Sequence, residues 1–360
     1  MAFITLHKEK LQHNFNYLDT LFKKNNIEWA IVTKLLCGNP KFLREVIRLG
    51  LPELCDSRIS NLKKIKEIAA EEGKEVQTVY IKPPAKKSIK SLVRYADVSF
   101  NTEYDTMKLL SDEAQRQGKT HKVVIMIELG DLREGVMGEQ LIDFYRSVFQ
   151  LPNLEITGIG ANLNCLYGVM PSEDKLIQLS LYKQLIEASF DRKIPWVSGG
   201  TSVVLPLLLK RRLPKGTNHF RIGESLYFGA NLFTGKTIKG MKADVLKFDA
   251  QIIEMQEKPR VPIGQLEENP SGESFQVDES DYGKTSYRAI LDVGLLDISP
   301  DYLIPTDKHL TISGASSDMI VIDMGETRRN YKVGDFISFK LKYMGALSLL
   351  NSNYIEKVVV

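Results

Sequence analysis

Cysteine is scarce in this chain. Three residues, Cys37, Cys55 and Cys165, are widely spaced and odd in number. That set fits neither a disulfide framework nor a zinc site. Each falls at or near the end of a predicted strand, so the expected setting is reduced and cytoplasmic. Long apolar runs are also missing: no stretch reaches the roughly 18 uninterrupted apolar residues of a membrane span. The opening "MAFITLHKEK" lacks the apolar core of a secretory signal. Nor is there a surplus of one charge. Lys and Arg number 48 against 45 Asp and Glu, a net +3, and the signs are interleaved, as in "KKIKEIAAEEGKE" (63–75). Neither nucleic acid nor a membrane is an expected partner. What remains, 43% hydrophobic and 26% charged over 360 residues, reads as two domains, or one large barrel plus a smaller module.

Short apolar runs alternate with amphipathic segments from residue 29 to 230. The runs are "WAIVTK" (29–34), "ELCDS" (53–57), "TVYIK" (78–82), "ADVSFN" (96–101), "KVVIMIELG" (122–130), "EITGIGANLN" (155–164), "PWVSGG" (195–200) and "HFRIGESLYFG" (219–229). Between them, segments such as "NPKFLREVIRLG" and "EDKLIQLSLYKQLIEASF" place apolar residues three or four apart, as a helix does. Strand–helix alternation implies parallel strands joined by right-handed crossovers. Eight such units predict an α/β fold, a (β/α)₈ TIM-type barrel over residues 9–232, with an open doubly wound sheet as the competing architecture. After about residue 235 the pattern becomes alternating and β-branched, with no long helical stretch. It predicts a mostly-β C-terminal domain of residues 233–360 joined by residues 1–8, whose strand "FITLH" (3–7) could pair with it. The polar stretch 265–284 is the part expected to be least ordered.

A barrel gathers its active site where the C-terminal ends of the strands meet the βα loops. Those ends carry Lys34, Asp56, Ser57, Lys82, Asn101, Glu128, Arg133, Asn162, Asn164, "SGGTS" (198–202) and "RIGE" (221–224). The Gly-Gly-Thr-Ser turn after strand seven, followed by strand eight, is where barrels often bind phosphate. Glycines allow close backbone approach there, and Thr201 and Ser202 add hydroxyls. Lys34, at the end of the first barrel strand, faces the same mouth. An amine held near other cations can act as a nucleophile toward a carbonyl. Lysine plus phosphate cradle points to pyridoxal 5′-phosphate (PLP) or to a Schiff-base aldolase of phosphorylated sugars. Snorkelling to the surface is the bland alternative for the lysine.

"LQHNFNYL" (11–18), "AIVTKLLCG" (30–38), "IELGDLREGV" (127–136), "GIGANLN" (158–164), "VSGGTS" (197–202), "FRIGESLYFG" (220–229), "DVGLLDI" (292–298) and "GASSDMIVID" (314–323) follow one another in a telling order. In that order and spacing the chain resembles the alanine racemase-like, fold-type III PLP enzymes, and looks closest to their ornithine racemase branch. The resemblance implies that Lys34 bonds the cofactor. It sets Arg221 against the pyridine nitrogen and Arg133 near the phenolic oxygen. Asn162 would lie at the ring, and Ser198, Gly199, Gly200, Thr201, Ser202, Gly223 and Glu224 around the phosphate. It further implies an amino-acid racemase acting on ornithine or another basic amino acid, as a homodimer whose active site the partner's β domain completes. Alanine racemisation, a decarboxylase or aldolase-type lyase, and a non-catalytic PLP carrier are the alternatives.

Three positions depart from the family pattern. Asn162 stands where a histidine commonly stacks on the ring. Met126 stands where a lysine open to carbamylation bridges the site, so Glu128 is the candidate to supply that charge. Leu295 stands where the partner's catalytic tyrosine would be. Asp292, Asp297, Asp318, Tyr287 and Cys165 are then the candidates for a second base.

Overall fold

A computed structural model describes residues 1–268, 272, 274 and 276–360. Residues 269–271, 273 and 275, within the stretch expected to be least ordered, lie outside the described residues. Contacts divide the chain into two units, Lys8–Ala243 and Met1–His7 with Asp244–Val360.

The larger unit opens with α1 (Lys8–Lys24) and then alternates. Its elements are β2 (Glu28–Val32), α2 (Pro40–Arg48), β3 (Glu53–Asp56), α3 (Ile59–Glu71), β4 (Gln77–Tyr80), α4 (Ile89–Tyr95), β5 (Val98–Asn101), α5 (Tyr104–Arg116), β6 (His121–Met126), α6 (Leu141–Val148), β7 (Leu154–Gly160) and α7 (Glu173–Phe190), then β8 (Trp196–Ser198), β9 (Gly200–Thr201), α8 (Leu205–Leu209), β10 (His219–Ile222) and α9 (Glu224–Phe228). Local chemistry sets these limits. At α2, Pro40 occupies the first turn and the Asn39 side chain accepts from Phe42 N at 3.2 Å. The spacing of Phe42, Leu43, Val46 and Ile47 then buries one face.

The strands pair in parallel in chain order from β2 to β8, and β10 pairs with both β2 and β9. Residues 196–201 are a single passage broken at Gly199. Its first piece, β8, pairs with β7 and its second, β9, with β10, so the sheet closes into a barrel and the open-sheet alternative is excluded. Ala30, Val32, Cys55, Val79, Val98, Phe100, Val124 and Met126 form a packed interior cluster. At this position in the barrel the filling is also polar. Buried His219 meets Glu53 Oε1 at 3.0 Å and Ser198 Oγ at 2.6 Å, and the Trp196 ring stacks on it at 4.3 Å. Each buried polar atom of that group has a partner, as burial demands.

Residues 233–243, which the sequence pattern assigned to the β domain, group by contacts with the unit Lys8–Ala243. A short ribbon of β11 (Ala230–Asn231) and β12 (Lys236–Thr237) leads into buried Ile238 and Met241. The buried Asn14 amide on α1 then clasps Lys242, donating to its carbonyl at 2.8 Å and accepting from its N–H at 2.7 Å.

In the other unit, β1 (Ala2–Leu6) pairs antiparallel with β13 (Leu246–Pro259) and parallel with β19 (Glu356–Val359). The remaining strands are β14 (Thr285–Leu291), β15 (Leu303–Pro305), β16 (Thr311–Ala315), β17 (Ile320–Asp323) and β18 (Phe336–Leu341), ordered β15-β18-β13-β14-β17-β16. β13 carries a bulge between Ile252 and Glu254, where its pairing passes from β18 to β14. The sequence pattern showed no long helical stretch here, but the unit does hold a short helix. α10 (Tyr343–Asn351) buries Gly345, Ala346, Leu349 and Leu350, and Gly345 sits where a Cβ would lie 2.7 Å from Tyr302 Cβ.

Candidate active site

β2 ends at Val32, and Lys34 opens a short 3₁₀ turn rather than finishing the strand. What fixes this corner lies on either side of the lysine. Thr33 is fully buried; its N–H and Oγ1 both donate to the Cys55 carbonyl, and Oγ1 also donates to Asp56 Oδ2 at 2.8 Å. Tyr227 Oη on α9 donates to the Val32 carbonyl at 3.3 Å. Lys34 itself is exposed and makes no ion pair among the described residues. Its charge acts on Glu224, whose carboxyl burial lifts above its ordinary value while Lys34 pulls it back.

Arg221, on β10, is 4% exposed. Its Nη2 donates to the Ala161 carbonyl at 2.8 Å, to Asn162 Oδ1 at 3.1 Å and to the Ser198 carbonyl at 3.2 Å. Its guanidinium lies 4.9 Å from the Phe100 ring centroid, and its Nε has no partner among the described residues. Burial pulls its pKa down from the ordinary guanidinium value, opposed by Cys55, Cys165 and Glu134. A buried donor left open at the end of a barrel strand is an unmet demand for an acceptor.

Asn162 connects this arginine to the loop after β6. Its Nδ2 donates to Glu134 Oε1, and both carboxylate oxygens of Glu134 take the Arg133 fork. Those bonds hold Arg133 above its ordinary value against burial. Glu128, the candidate from the sequence, makes no such bond to Arg133 among the described residues. It turns back on its own loop, accepting from Gly130 N and from Leu132 N at 3.0 Å. Glu134 was not legible as a site residue, because next to an arginine in sequence it reads as an ordinary surface pair.

Asp131 is a second residue the sequence did not single out. It is 1% exposed and accepts from the N–H groups of Cys165, Leu166, Tyr167 and Val169 at 2.9–3.3 Å. It pins the loop after β7 to the loop after β6.

The Gly-Gly-Thr-Ser turn has a packing reason of its own. A Cβ at Gly200 would meet the Phe220 ring at 2.2 Å, and one at Gly199 would press on Leu179 and Leu176. Ser198 turns its hydroxyl to His219 and offers only its carbonyl to Arg221. Ser202 Oγ accepts from Ser225 N at 3.1 Å, tying the turn to the start of α9 beside Gly223 and Glu224. Thr201 lies in β9, paired with Arg221.

Other expected residues stand apart. Asp56 faces Thr33 and Asn61, and Asn101 folds back on Ser99. Of the second-base candidates, Cys165 alone belongs to the barrel unit, and its thiol lies within electrostatic reach of Arg133, Glu134 and Lys34. In the β unit, Asp292 holds the terminal amine, Asp297 accepts from Ser352 Oγ, Asp318 accepts from Ser317 Oγ at 2.6 Å, and Tyr287 is exposed on β14. No helix among the described residues is long and apolar enough to cross a membrane.

Comparison with known proteins agrees with this layout. The family model described as "Alanine racemase, N-terminal domain" matches residues 6–231. An ornithine racemase of Acetoanaerobium sticklandii is 36% identical over 355 residues, covering 98% of each chain. A lysine racemase of Thermotoga maritima is 30% identical over 355 residues, covering 99% of this chain and 97% of its own. Among solved structures, an alanine racemase from Bartonella henselae with covalently bound pyridoxal phosphate superposes with a TM-score of 0.75. It covers 100% of this chain and 99% of its own at 16% identity, a likeness of fold.

Proposed function

The chain belongs to the alanine racemase family, and we propose that it racemises ornithine or another basic amino acid with pyridoxal 5′-phosphate as its cofactor, as a homodimer. The observation that carries this is that Lys34, exposed in the turn just after β2, and buried Arg221 on the adjoining strand β10, whose Nε lacks an acceptor among the described residues, belong to one barrel unit. An aromatic ring nitrogen is an acceptor of the kind that Nε requires. The near-full-length likeness to an ornithine and a lysine racemase supports the basic substrate.

In this reading Lys34 would hold the cofactor covalently, Arg221 would meet its ring nitrogen and Arg133 its phenolic oxygen, with Asn162 at the ring. Gly199, Gly200, Thr201, Ser202, Gly223 and Glu224 surround the phosphate, and Ser198 aids by fixing Arg221. When bound, the cofactor supplies the conjugation that acidifies the Cα–H bond of an attached amino acid. Arg221 keeps its own proton, so it gives the ring nitrogen a hydrogen bond and no more. In that role Arg221 would leave the ring nitrogen unprotonated and so favour return of a proton at Cα over transamination. Lys34 Nζ is the group that takes or returns that proton on its side.

The test is chiral analysis of L-ornithine, L-lysine and L-alanine after incubation with the cofactor-loaded protein. D-ornithine or D-lysine is expected, and Lys34→Ala should lose the visible absorbance along with the activity. Carbon dioxide release, or D-alanine as the sole product, would overturn the assignment.

A further inference from the structure

Two guanidinium groups and one lysine amine converge on this barrel mouth, and the sequence reading offered Glu128 to balance them. The structure takes Glu128 away and puts Glu134 in its place. The Glu134 side chain is only 11% exposed. Its two oxygens take Nε and Nη2 of Arg133, the second at 2.5 Å, and one of them also takes Asn162 Nδ2. The far end of that amide accepts from Arg221. A single carboxylate is thus bonded to Arg133 directly and to Arg221 through one amide.

The bonds constrain one another. A carboxylate that accepts a two-pronged guanidinium has its plane set by it. Asn162 must then donate toward Glu134 and accept from Arg221, since Arg221 cannot accept. Arg221 Nε is the donor that none of these bonds uses, and it has no partner among the described residues. Were Glu134 neutral, Arg133 would lose its fork, Asn162 could turn over, and the positive charges of the mouth would face one another uncompensated.

We infer that Glu134 is a positioning residue of the racemase site: a carboxylate bridge that sets Arg133 and, through Asn162, aims Arg221 at the cofactor. The inference rests on the proposed racemase reading, and it names the group that stands in for the charge missing at Met126.

Glu134→Gln and Glu134→Ala, beside the unaltered protein, test it with three readouts. In cofactor-free protein, phenylglyoxal labelling of Arg133, followed by peptide mass, should run severalfold faster in both variants. In loaded protein the visible band should persist but titrate about one pH unit lower, because a negative charge near the cofactor is gone. Turnover of the basic amino acid should fall by about tenfold or more with KM within threefold. Added formate should restore part of that loss in Glu134→Ala, where a space is left, and none in Glu134→Gln, where the amide fills it. Unchanged labelling, titration and turnover in Glu134→Gln would overturn the role, whatever becomes of the alanine variant. If the unaltered protein binds the cofactor but racemises no amino acid, the proposed function falls instead. The labelling readout then still decides whether Glu134 holds Arg133.

Discussion

Arg221 donates to Asn162 Oδ1 at 3.1 Å, and that one bond decides which end of the amide meets Glu134. Replacing Asn162 with Leu keeps the branching of the side chain and removes both bonds. A hydrogen bond to a charged group contributes roughly 1.5–3 kcal/mol, but Arg221 retains the Ala161 and Ser198 carbonyls. Asn162→Leu is therefore expected to fold and to bind cofactor. Its kcat on the basic amino acid should fall by about tenfold, measured by the rate of D-enantiomer formation. Asn162→Asp should do worse, since it sets a second carboxylate against Glu134.

Asp131 holds four backbone N–H groups of the neighbouring loop. Burial works against its charge, but those four donors prevail and keep the carboxyl below its ordinary value. Its stabilisation is therefore present above the unfolded carboxylate value and is lost as pH falls through the lower, folded one. Asp131→Ala should cost about 2 kcal/mol by stranding N–H groups. Thermal melts near neutral pH would show that loss. Limited proteolysis should cut first within 163–170. If the two proteins melt alike, the loop is held by something else.

Residue order alone places Lys34 and Arg221 at one mouth of a barrel. Arg221 lies on β10 and Lys34 in the turn just after β2, and position in the βα count is a physical statement about which mouth they face. Glu134 could not be read that way. Its value comes from how the 127–136 loop folds back, with Val136 N donating to the Met126 carbonyl at 2.8 Å and Glu128 N to the Val136 carbonyl at 3.1 Å. Nothing in residue order says that the loop turns Glu134 inward and Glu128 onto itself. The helix at Tyr343–Asn351 was missed for a different reason: a short apolar run has no clear period, and only its packing against Tyr302 decides its form. The 233–243 segment looked like β domain because the pattern changes there. It is Asn14, more than two hundred residues earlier in the chain, that claims it.

His121 gives the barrel a pH dependence that leaves the mouth alone. Buried on β6, it pairs with Ser99 Oγ at 2.8 Å, and burial, aided by Lys119, pulls its pKa from 6.5 to about 4. The unfolded chain therefore binds a proton between those values that the folded chain refuses. Stability should be full above about pH 6.5 and decline toward pH 4, by on the order of 3 kcal/mol from this group. His121→Gln, which can still bond Ser99, should show a shallower decline. Urea unfolding at several pH values between 4 and 7.5 measures the two slopes, and equal slopes would remove His121 as the cause.

Cysteine reactivity reports on the electrostatics of the mouth. Cys55 is fully buried in the barrel interior and Cys165 is exposed on the loop that Asp131 pins. Desolvation raises the Cys165 thiol above its ordinary value, with Arg133 and Lys34 pulling down and Glu134 and Asp131 pushing up. The thiolate is the reactive form, so a raised value means little of it at neutral pH. Iodoacetamide should therefore label Cys165 and spare Cys55, slowly at pH 7 and with a rate still climbing above pH 9. Substitutions should move that rate in opposite directions. Lys34→Ala removes a charge that favours the thiolate and should slow labelling at fixed pH. Glu134→Gln removes one that opposes it and should speed labelling. Peptide mass analysis across pH 7–10 reads all three proteins. A rate that levels off below pH 8 would mean that the cations of the mouth outweigh desolvation at Cys165.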